Sequence, residues 1–225
     1  MNDAADPPAA DPSADGAVDP AAPVARTPVA VRAALRDGNR RYREGAGRHP
    51  HQAEGDREAL VGGQHPMAVV LGCSDARVPV SVVLDQGLGD LFVVRVAGHA
   101  LGDNVRASVH YAVEQLDVPL VLVLGHQGCG AVGATLDAVR DGGDLTVPLV
   151  RDVAPSARAA WDGCPGAGES AERYACAHED AVRRHADATA ARLRDDPVLA
   201  PHLATGDLDV VAAVYELDSG RIDGL

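Results

Sequence analysis

Aromatic side chains, basic residues and long apolar runs are scarce in this sequence. Aromatic residues make up 3% of the 225 residues although 46% are hydrophobic, so alanine, valine and leucine supply most of the apolar content. This composition favours alternating strands and helices over a β-sandwich. The 33 acidic residues outnumber the 20 basic ones, and the formal net charge of −13 argues against nucleic-acid binding because such a surface repels phosphates. No apolar run reaches about 18 residues, so we expect no membrane span.

Cysteine is also scarce, and the first residues carry neither the basic nor the apolar segment of a secretory signal. Four cysteines, Cys73, Cys129, Cys164 and Cys176, are too few for a disulfide scaffold in a chain of this length. We therefore expect a cytoplasmic protein whose thiolates are available as metal ligands. Cys164 and Cys176 lie in a helical stretch away from the main motifs, and we interpret them as free thiols.

Two segments differ sharply in composition. Residues 1–26 are mostly alanine, proline and aspartate, and they contain too little apolar surface to offset the entropy of ordering them. We interpret this segment as a disordered tail. Residues 27–225 are long enough for a substantial core, and a single domain is their simplest organisation.

Continuous runs of valine and leucine recur along residues 27–225, separated by stretches with helical periodicity. This alternation predicts an α/β fold whose mostly parallel central sheet, four parallel strands plus a late edge strand, is covered by helices. The predicted strands are Met67–Leu71, Leu91–Arg95, Leu120–Leu124 and Val210–Tyr215, and the clearest predicted helices are Asn104–Gln115 and Ala131–Val139.

Three potential metal ligands follow two of these strands. Cys73 comes after the first strand, and His126 and Cys129 come after the third. Because ligands of open α/β sheets bind beyond the carboxyl ends of strands, we expect the three side chains to converge there if the strands are adjacent. Two thiolates and one imidazole suit zinc, and three protein ligands leave the fourth tetrahedral position open, as in catalytic sites. The His-x-x-Cys spacing alone is weak evidence, since buried free cysteines are common.

Asp75 and Arg77 lie in the loop after Cys73. Asp75 either becomes a fourth ligand in a closed state of the site or pairs with Arg77 and leaves the metal open to water. An arginine holds a carboxylate with two parallel hydrogen bonds, which favours the pair. The plainer interpretation is an ordinary salt bridge within a loop.

These motifs resemble those of the β-carbonic anhydrases. Cys-Ser-Asp-Ala-Arg from Cys73 and His-x-x-Cys-Gly from His126 match the usual pattern of that family, and Gly38–Tyr42 and Asp90–Arg95 match further segments. The likeness is weak between residues 141 and 207. It implies the β-carbonic anhydrase fold, a Zn²⁺ cofactor, reversible hydration of carbon dioxide to bicarbonate and a proton, and catalytic roles for Asp75 and Arg77.

The resemblance also implies substrate-binding residues, those of the branch typified by plant enzymes: Gln64, Phe92, Tyr111 and Gly130. From the sequence alone, Gln64 could equally be an exposed helix-end residue, and the two aromatic residues could simply pack the core. The chain departs from the family pattern at Val96 and His99. We interpret His99 as an ordinary surface histidine, although a proton shuttle is conceivable, and we find no counterpart of the family's bicarbonate-inhibited regulatory site.

The family resemblance implies a homodimer or homotetramer in which the first helix reaches across to a neighbour. Thr27 and Pro28 predict the start of that helix, with Val29, Val31, Leu35 and Tyr42 on its apolar side. Two other functions remain open: a carbonyl sulfide or carbon disulfide hydrolase on the same fold, and a non-catalytic zinc protein with Asp75 as a permanent fourth ligand. A redox role is less favoured because the sequence has no Cys-x-x-Cys.

Overall fold

The centre of the fold is a five-stranded sheet with the strand order β2-β1-β3-β4-β5. The computed structural model describes residues 24–165 and 170–225. Within them the strands are β1 (Ala68–Cys73), β2 (Leu91–Val96), β3 (Leu120–His126), β4 (Asp209–Tyr215) and β5 (Ile222–Asp223). The first four strands are parallel and β5 lies antiparallel to β4 at the edge, which confirms the predicted arrangement.

Helices cover both faces of the sheet. In the described residues they are α1 (Pro28–Arg43), α2 (Glu54–Ala59), α3 (Val80–Val83), α4 (Asp103–Leu116), α5 (Gly130–Asp141), α6 (Pro148–Gly163), α7 (Ala171–Arg194) and α8 (Ala200–Thr205). Short 3₁₀ turns occupy Leu60–Gly62 and Ala97–His99. Every residue of β1 and β3 is buried, which explains why these strands are continuous runs of apolar residues rather than alternating ones. No helix in these ranges is long and apolar enough to cross a membrane.

Helix α1 is fixed to the sheet by a buried asparagine. The Thr27 hydroxyl caps the helix by accepting from the amide of Ala30, as predicted. The Asn39 side chain donates to the carbonyls of Val83 and Gly220, both at 2.9 Å, and accepts from the amide of Ile222 at 3.0 Å. Asn39 therefore holds α1 against α3 and against the segment from Gly220 to Ile222. On the predicted apolar side, Val31 and Leu35 are buried in the single chain, whereas Val29 is 81% exposed, so its place on an apolar contact surface stays a prediction.

The beginning of the described chain is anchored rather than loose. The predicted tail falls largely on residues 1–23, which lie outside the described residues. Arg26, at the end of that predicted segment, donates to four backbone carbonyls, those of His65, Pro66, Leu116 and Asp117. The boundary at residue 27 stays a prediction.

Helices α6 and α7 form a hairpin that carries a disulfide between Cys164 and Cys176. The interpretation of these cysteines as free thiols was therefore wrong. Their Cα atoms lie 6.0 Å apart, a distance that a disulfide spans, because the hairpin brings the end of α6 beside the second turn of α7. Linear spacing alone does not reveal that proximity. Part of the loop predicted at residues 162–168 lies outside the described residues.

We expect the Cys176→Ser variant to be less stable than the wild-type protein by up to about 3 kcal/mol under non-reducing conditions, because the bond closes a loop of modest length. Chemical denaturation followed by far-UV circular dichroism measures this difference. A matched measurement on wild-type protein under reducing conditions serves as the control. Equal unfolding midpoints for the variant and the oxidised wild-type protein would show that the bond does not contribute to stability.

Candidate metal centre

The structure brings Cys73, His126 and Cys129 together at the carboxyl edge of the sheet. Cys73 ends β1 and His126 ends β3, and these two strands are direct neighbours in parallel register. Cys129 is the N-cap of α5. The three ligand atoms all lie within 4.8 Å of one another, and all three residues are buried. The predicted convergence of these side chains is therefore observed.

The imidazole of His126 presents one unpaired nitrogen to this site. Its Nδ1 donates to the carbonyl of Gln127 at 3.0 Å, which leaves the lone pair on Nε2. Nε2 is fully buried and has no hydrogen-bond partner among residues 24–165 and 170–225. A buried nitrogen without a partner is costly unless a metal or another group satisfies it. The two sulfur atoms lie 3.9 Å apart, close to the separation of about 3.8 Å that two thiolates have on a tetrahedral zinc. The donor set therefore fits zinc.

Backbone groups favour thiolates at this site. The amide of Gly98, which has a left-handed φ of 59°, donates to Cys73 Sγ at 3.3 Å. The hydrogen bond between the two sulfurs lowers the pKa of Cys73 and raises the pKa of Cys129. Amides of the first turn of α5, from Ala131 and Val132, act in the opposite direction on Cys129 and favour its thiolate.

Asp75 and Arg77 form a paired side-chain unit beside the ligands. Arg77 donates from Nε to one carboxylate oxygen of Asp75 at 2.9 Å and from a terminal nitrogen to the other at 2.7 Å. Arg77 also donates to the carbonyl of Gly128 at 3.0 Å. The hydrogen bond from Arg77 holds the pKa of Asp75 well below its usual range. One oxygen of Asp75 lies 3.8 Å from Nε2 of His126, so the ionised carboxylate reaches the rim of the candidate metal centre.

A second arginine, Arg95, fixes the backbone of the same loop. It donates to the carbonyl of Cys73 at 2.9 Å and to the carbonyl of Asp75 at 2.6 Å. In the sequence, Arg95 is the last residue of the Asp90–Arg95 segment that matches the family, but the pattern did not indicate what Arg95 does. Its contact with the Cys73 loop becomes apparent only when β2 is known to lie beside β1 in register.

One chain does not bring the predicted substrate residues to the metal ligands, with the exception of Gly130. Gly130 follows Cys129 at the start of α5, and a Cβ added there would meet no atom within 4 Å. Gln64 lies exposed in the loop before β1 begins. Phe92 pairs with Val69 at the amino end of the sheet, and its ring lies 6.0 Å from that of Tyr111.

His99 is not a surface residue, which corrects the interpretation from sequence. Its side chain is fully buried against His185, with ring centroids 4.6 Å apart, and neither of its ring nitrogens has a hydrogen-bond partner in the part of the chain that the structure describes. Burial holds the pKa of His99 well below its usual range, which disfavours the protonated ring. A proton shuttle to solvent is not supported by this position.

Comparisons with known proteins agree on one family. A family model described as carbonic anhydrase matches residues 68–222. A protein named carbonic anhydrase 2 from Mycobacterium tuberculosis is 41% identical over 198 residues, covering 86% of this chain and 91% of that protein. A carbonic anhydrase from Pseudomonas aeruginosa is 37% identical over 178 residues, covering 75% of this chain and 77% of that protein.

Solved structures share the fold. The β-carbonic anhydrase CcaA gives a TM-score of 0.66 at 25% identity, covering 85% of this chain and 86% of that one. A structure of tetrameric β-carbonic anhydrases from Sordaria macrospora gives a TM-score of 0.65 at 24% identity, covering 86% of this chain and 95% of that one.

Proposed function

Since this chain belongs to the β-carbonic anhydrase family and catalyses the reversible hydration of carbon dioxide to bicarbonate and a proton, we propose that a zinc ion bound by Cys73, His126 and Cys129 serves that reaction. The observation that carries the proposal is the buried, unpaired Nε2 of His126 beside two buried sulfurs. When bound, zinc is a Lewis acid that lowers the pKa of a coordinated water toward about 7.

The residues around the ligands would keep the fourth position open and orient the reactants. Arg77 occupies both oxygens of Asp75 and thereby keeps this carboxylate from becoming a fourth protein ligand. The ionised Asp75 carboxylate is a hydrogen-bond acceptor for the hydroxyl group of the attacking water or of bicarbonate. Gly130 has no side chain beside the ligands, which leaves room for a small substrate.

Gln64, Phe92 and Tyr111 would contribute to substrate binding from a second copy of the chain, in a homodimer or homotetramer. Strand β2 is an edge of the sheet and Tyr111 beside it is 50% exposed, so this side is suited to cover by a partner. A two-fold axis at the β2 edge would pair the two β2 strands antiparallel. The amino end of one β2, with Phe92, would then lie beside the carboxyl end of the other.

A subunit-mixing experiment tests this sharing of residues. We expect Gln64→Ala and Cys73→Ser chains to be inactive or weak as homodimers, but a mixed dimer would contain one intact site if Gln64 serves the neighbouring chain. Random pairing predicts roughly a quarter of wild-type activity after unfolding and refolding the mixture. A mixture of Cys73→Ser and His126→Ala chains is the matched control. Each chain then lacks one of its own metal ligands, so a mixed dimer contains no intact site. Activity no higher than the average of the separate variants would contradict the proposed sharing.

The substrate is tested by a stopped-flow hydration assay with a pH indicator on zinc-loaded protein. We expect hydration far above the buffer rate and little consumption of carbonyl sulfide from the headspace. The relatives described above are named carbonic anhydrases, which favours carbon dioxide over carbonyl sulfide or carbon disulfide. No hydration above the buffer rate, with one zinc bound per chain, would contradict this function.

We also propose a cytoplasmic location, where Cys73 and Cys129 remain available as thiolates. The disulfide between Cys164 and Cys176 is unusual for a reducing compartment, in which we expect that pair to be largely reduced.

A further inference from the structure

Two histidines on α7, His178 and His185, lie two helical turns apart and therefore on the same side of the helix. Each donates from Nε2 to the backbone carbonyl of a residue that either carries a metal-site sulfur or donates a hydrogen bond to one. His178 lies 2.9 Å from the carbonyl oxygen of Cys129, and His185 lies 3.1 Å from that of Gly98. Helix α7 thus contacts the metal-site backbone at two points.

Both carbonyls belong to residues that act directly on the sulfurs. Cys129 carries one sulfur itself. Gly98 donates its amide to the other, Cys73 Sγ, at 3.3 Å. Gly98 adopts a left-handed φ of 59°, which a glycine reaches without the steric cost that other residues have there. The hydrogen bond from His185 holds the carbonyl group of Gly98, the same residue whose amide contacts Cys73.

The surroundings of His185 leave the carbonyl of Gly98 as the acceptor for its Nε2 proton. Its side chain is 1% exposed and lies between the His99 ring and Asp152, whose carboxylate oxygen is 4.0 Å from Nε2. Arg192 and the amide of Leu101 already engage that carboxylate. The proton on Nε2 of His185 is therefore directed to the carbonyl of Gly98.

The position of His178 depends on a glycine in α5. A Cβ added at Gly133 would lie 3.3 Å from Cε1 of the His178 ring, closer than ordinary contact. The half-buried ring also packs beside Tyr174, with centroids 6.0 Å apart. The absence of a side chain at Gly133 lets the ring of His178 approach the carbonyl of Cys129.

We propose that His178 and His185 are positioning residues, which set the orientation of the Cys129 and Cys73 sulfurs and thereby the strength of metal binding. The proposal rests on the proposed zinc site. Groups that orient metal ligands from outside the coordination sphere contribute about 10–100-fold to metal affinity. Both histidines lie between residues 141 and 207, where the sequence showed no recognisable family motif, so the motifs gave no indication of them.

Four variants test the proposal. His178→Leu and His185→Leu remove the donor and keep an apolar side chain of similar size, whereas His178→Gln and His185→Gln place an amide donor near the former Nε2. His202→Leu, on the half-exposed surface of α8, is the matched control. Zinc affinity is measured by competition with a chelator, and the cobalt-loaded protein reports sulfur geometry through its sulfur-to-cobalt charge-transfer absorption. Circular dichroism checks that each variant is folded.

We expect each leucine variant to bind zinc about 10–100-fold more weakly and to shift the cobalt absorption, and each glutamine variant to recover much of both. The control should match the wild-type protein. Folded leucine variants with wild-type affinity and absorption would overturn the proposal, as would glutamine variants that are as impaired as the leucine ones. If His185→Leu does not fold, the zinc affinity and cobalt absorption of the His178 variants decide the result, because His178 is only half-buried. A wild-type protein that binds neither metal overturns the proposed zinc site instead.

Discussion

Replacing His126 with alanine is expected to remove bound zinc and to lower carbon dioxide hydration by more than about 10³-fold. Nε2 of His126 is fully buried, and no protein group within the described residues satisfies it. Removing the ring leaves two sulfurs that cannot form a three-ligand site. Cys73→Ser and Cys129→Ser should have the same effect, because a serine hydroxyl is a far poorer ligand for zinc than a thiolate. Metal content by mass spectrometry and the hydration rate are measured on the same samples.

Matched substitutions outside the site provide the controls for this result. Cys176→Ser changes a cysteine that lies in the disulfide of the α6–α7 hairpin, and it should retain zinc and activity. His202→Ala changes a histidine that contacts Glu114 on the surface. If a ligand variant retained full zinc content and wild-type activity, the proposed ligand set would be wrong.

The second large effect is expected at Arg77. In Arg77→Ala the Asp75 carboxylate loses both side-chain hydrogen bonds that hold it, and it becomes free to approach the metal centre near His126. We expect hydration to fall by about 10²–10³-fold, as when one positioned hydrogen-bonding group is removed from an active site. Zinc content should not change, because neither Asp75 nor Arg77 binds the metal when its fourth position is open to water. Asp75→Ala should cause a loss of similar size.

The double variant distinguishes the pair from two independent residues. If Asp75 and Arg77 act as one unit, Arg77→Ala and Asp75→Ala together cost about as much activity as either change alone. Fully additive losses would contradict the pairing account. Loss of zinc and of thermal stability in Asp75→Ala would instead favour the alternative in which Asp75 is a permanent fourth ligand.

The sheet and the converging ligands could be predicted because they depend on local patterns. Buried parallel strands such as β1 and β3 are continuous valine and leucine runs, and functional residues follow their carboxyl ends. Once Cys73 and His126 were placed at such ends, only the adjacency of the two strands was needed. The cap at Thr27 is likewise a local hydrogen-bonding pattern.

The remaining features depend on tertiary packing. His99 looks like a surface residue in sequence, but the packing of α7 on the sheet buries it against His185. The Cys164–Cys176 bond requires α6 and α7 to form a hairpin, and the contact between His178 and Cys129 requires α7 to pack beside the start of α5. Phe92 and Tyr111 do pack together, but their distance from the metal ligands follows from the register of β2 against β1.

The central claim concerns which groups surround the metal at neutral pH. A high-resolution crystal structure of the zinc-loaded protein at neutral pH measures this directly. We predict one zinc per chain with four ligands, namely the sulfurs of Cys73 and Cys129, Nε2 of His126 and one solvent oxygen, while Asp75 remains paired with Arg77. A zinc ion whose fourth ligand is the Asp75 carboxylate, or a site that does not hold zinc, would contradict the account.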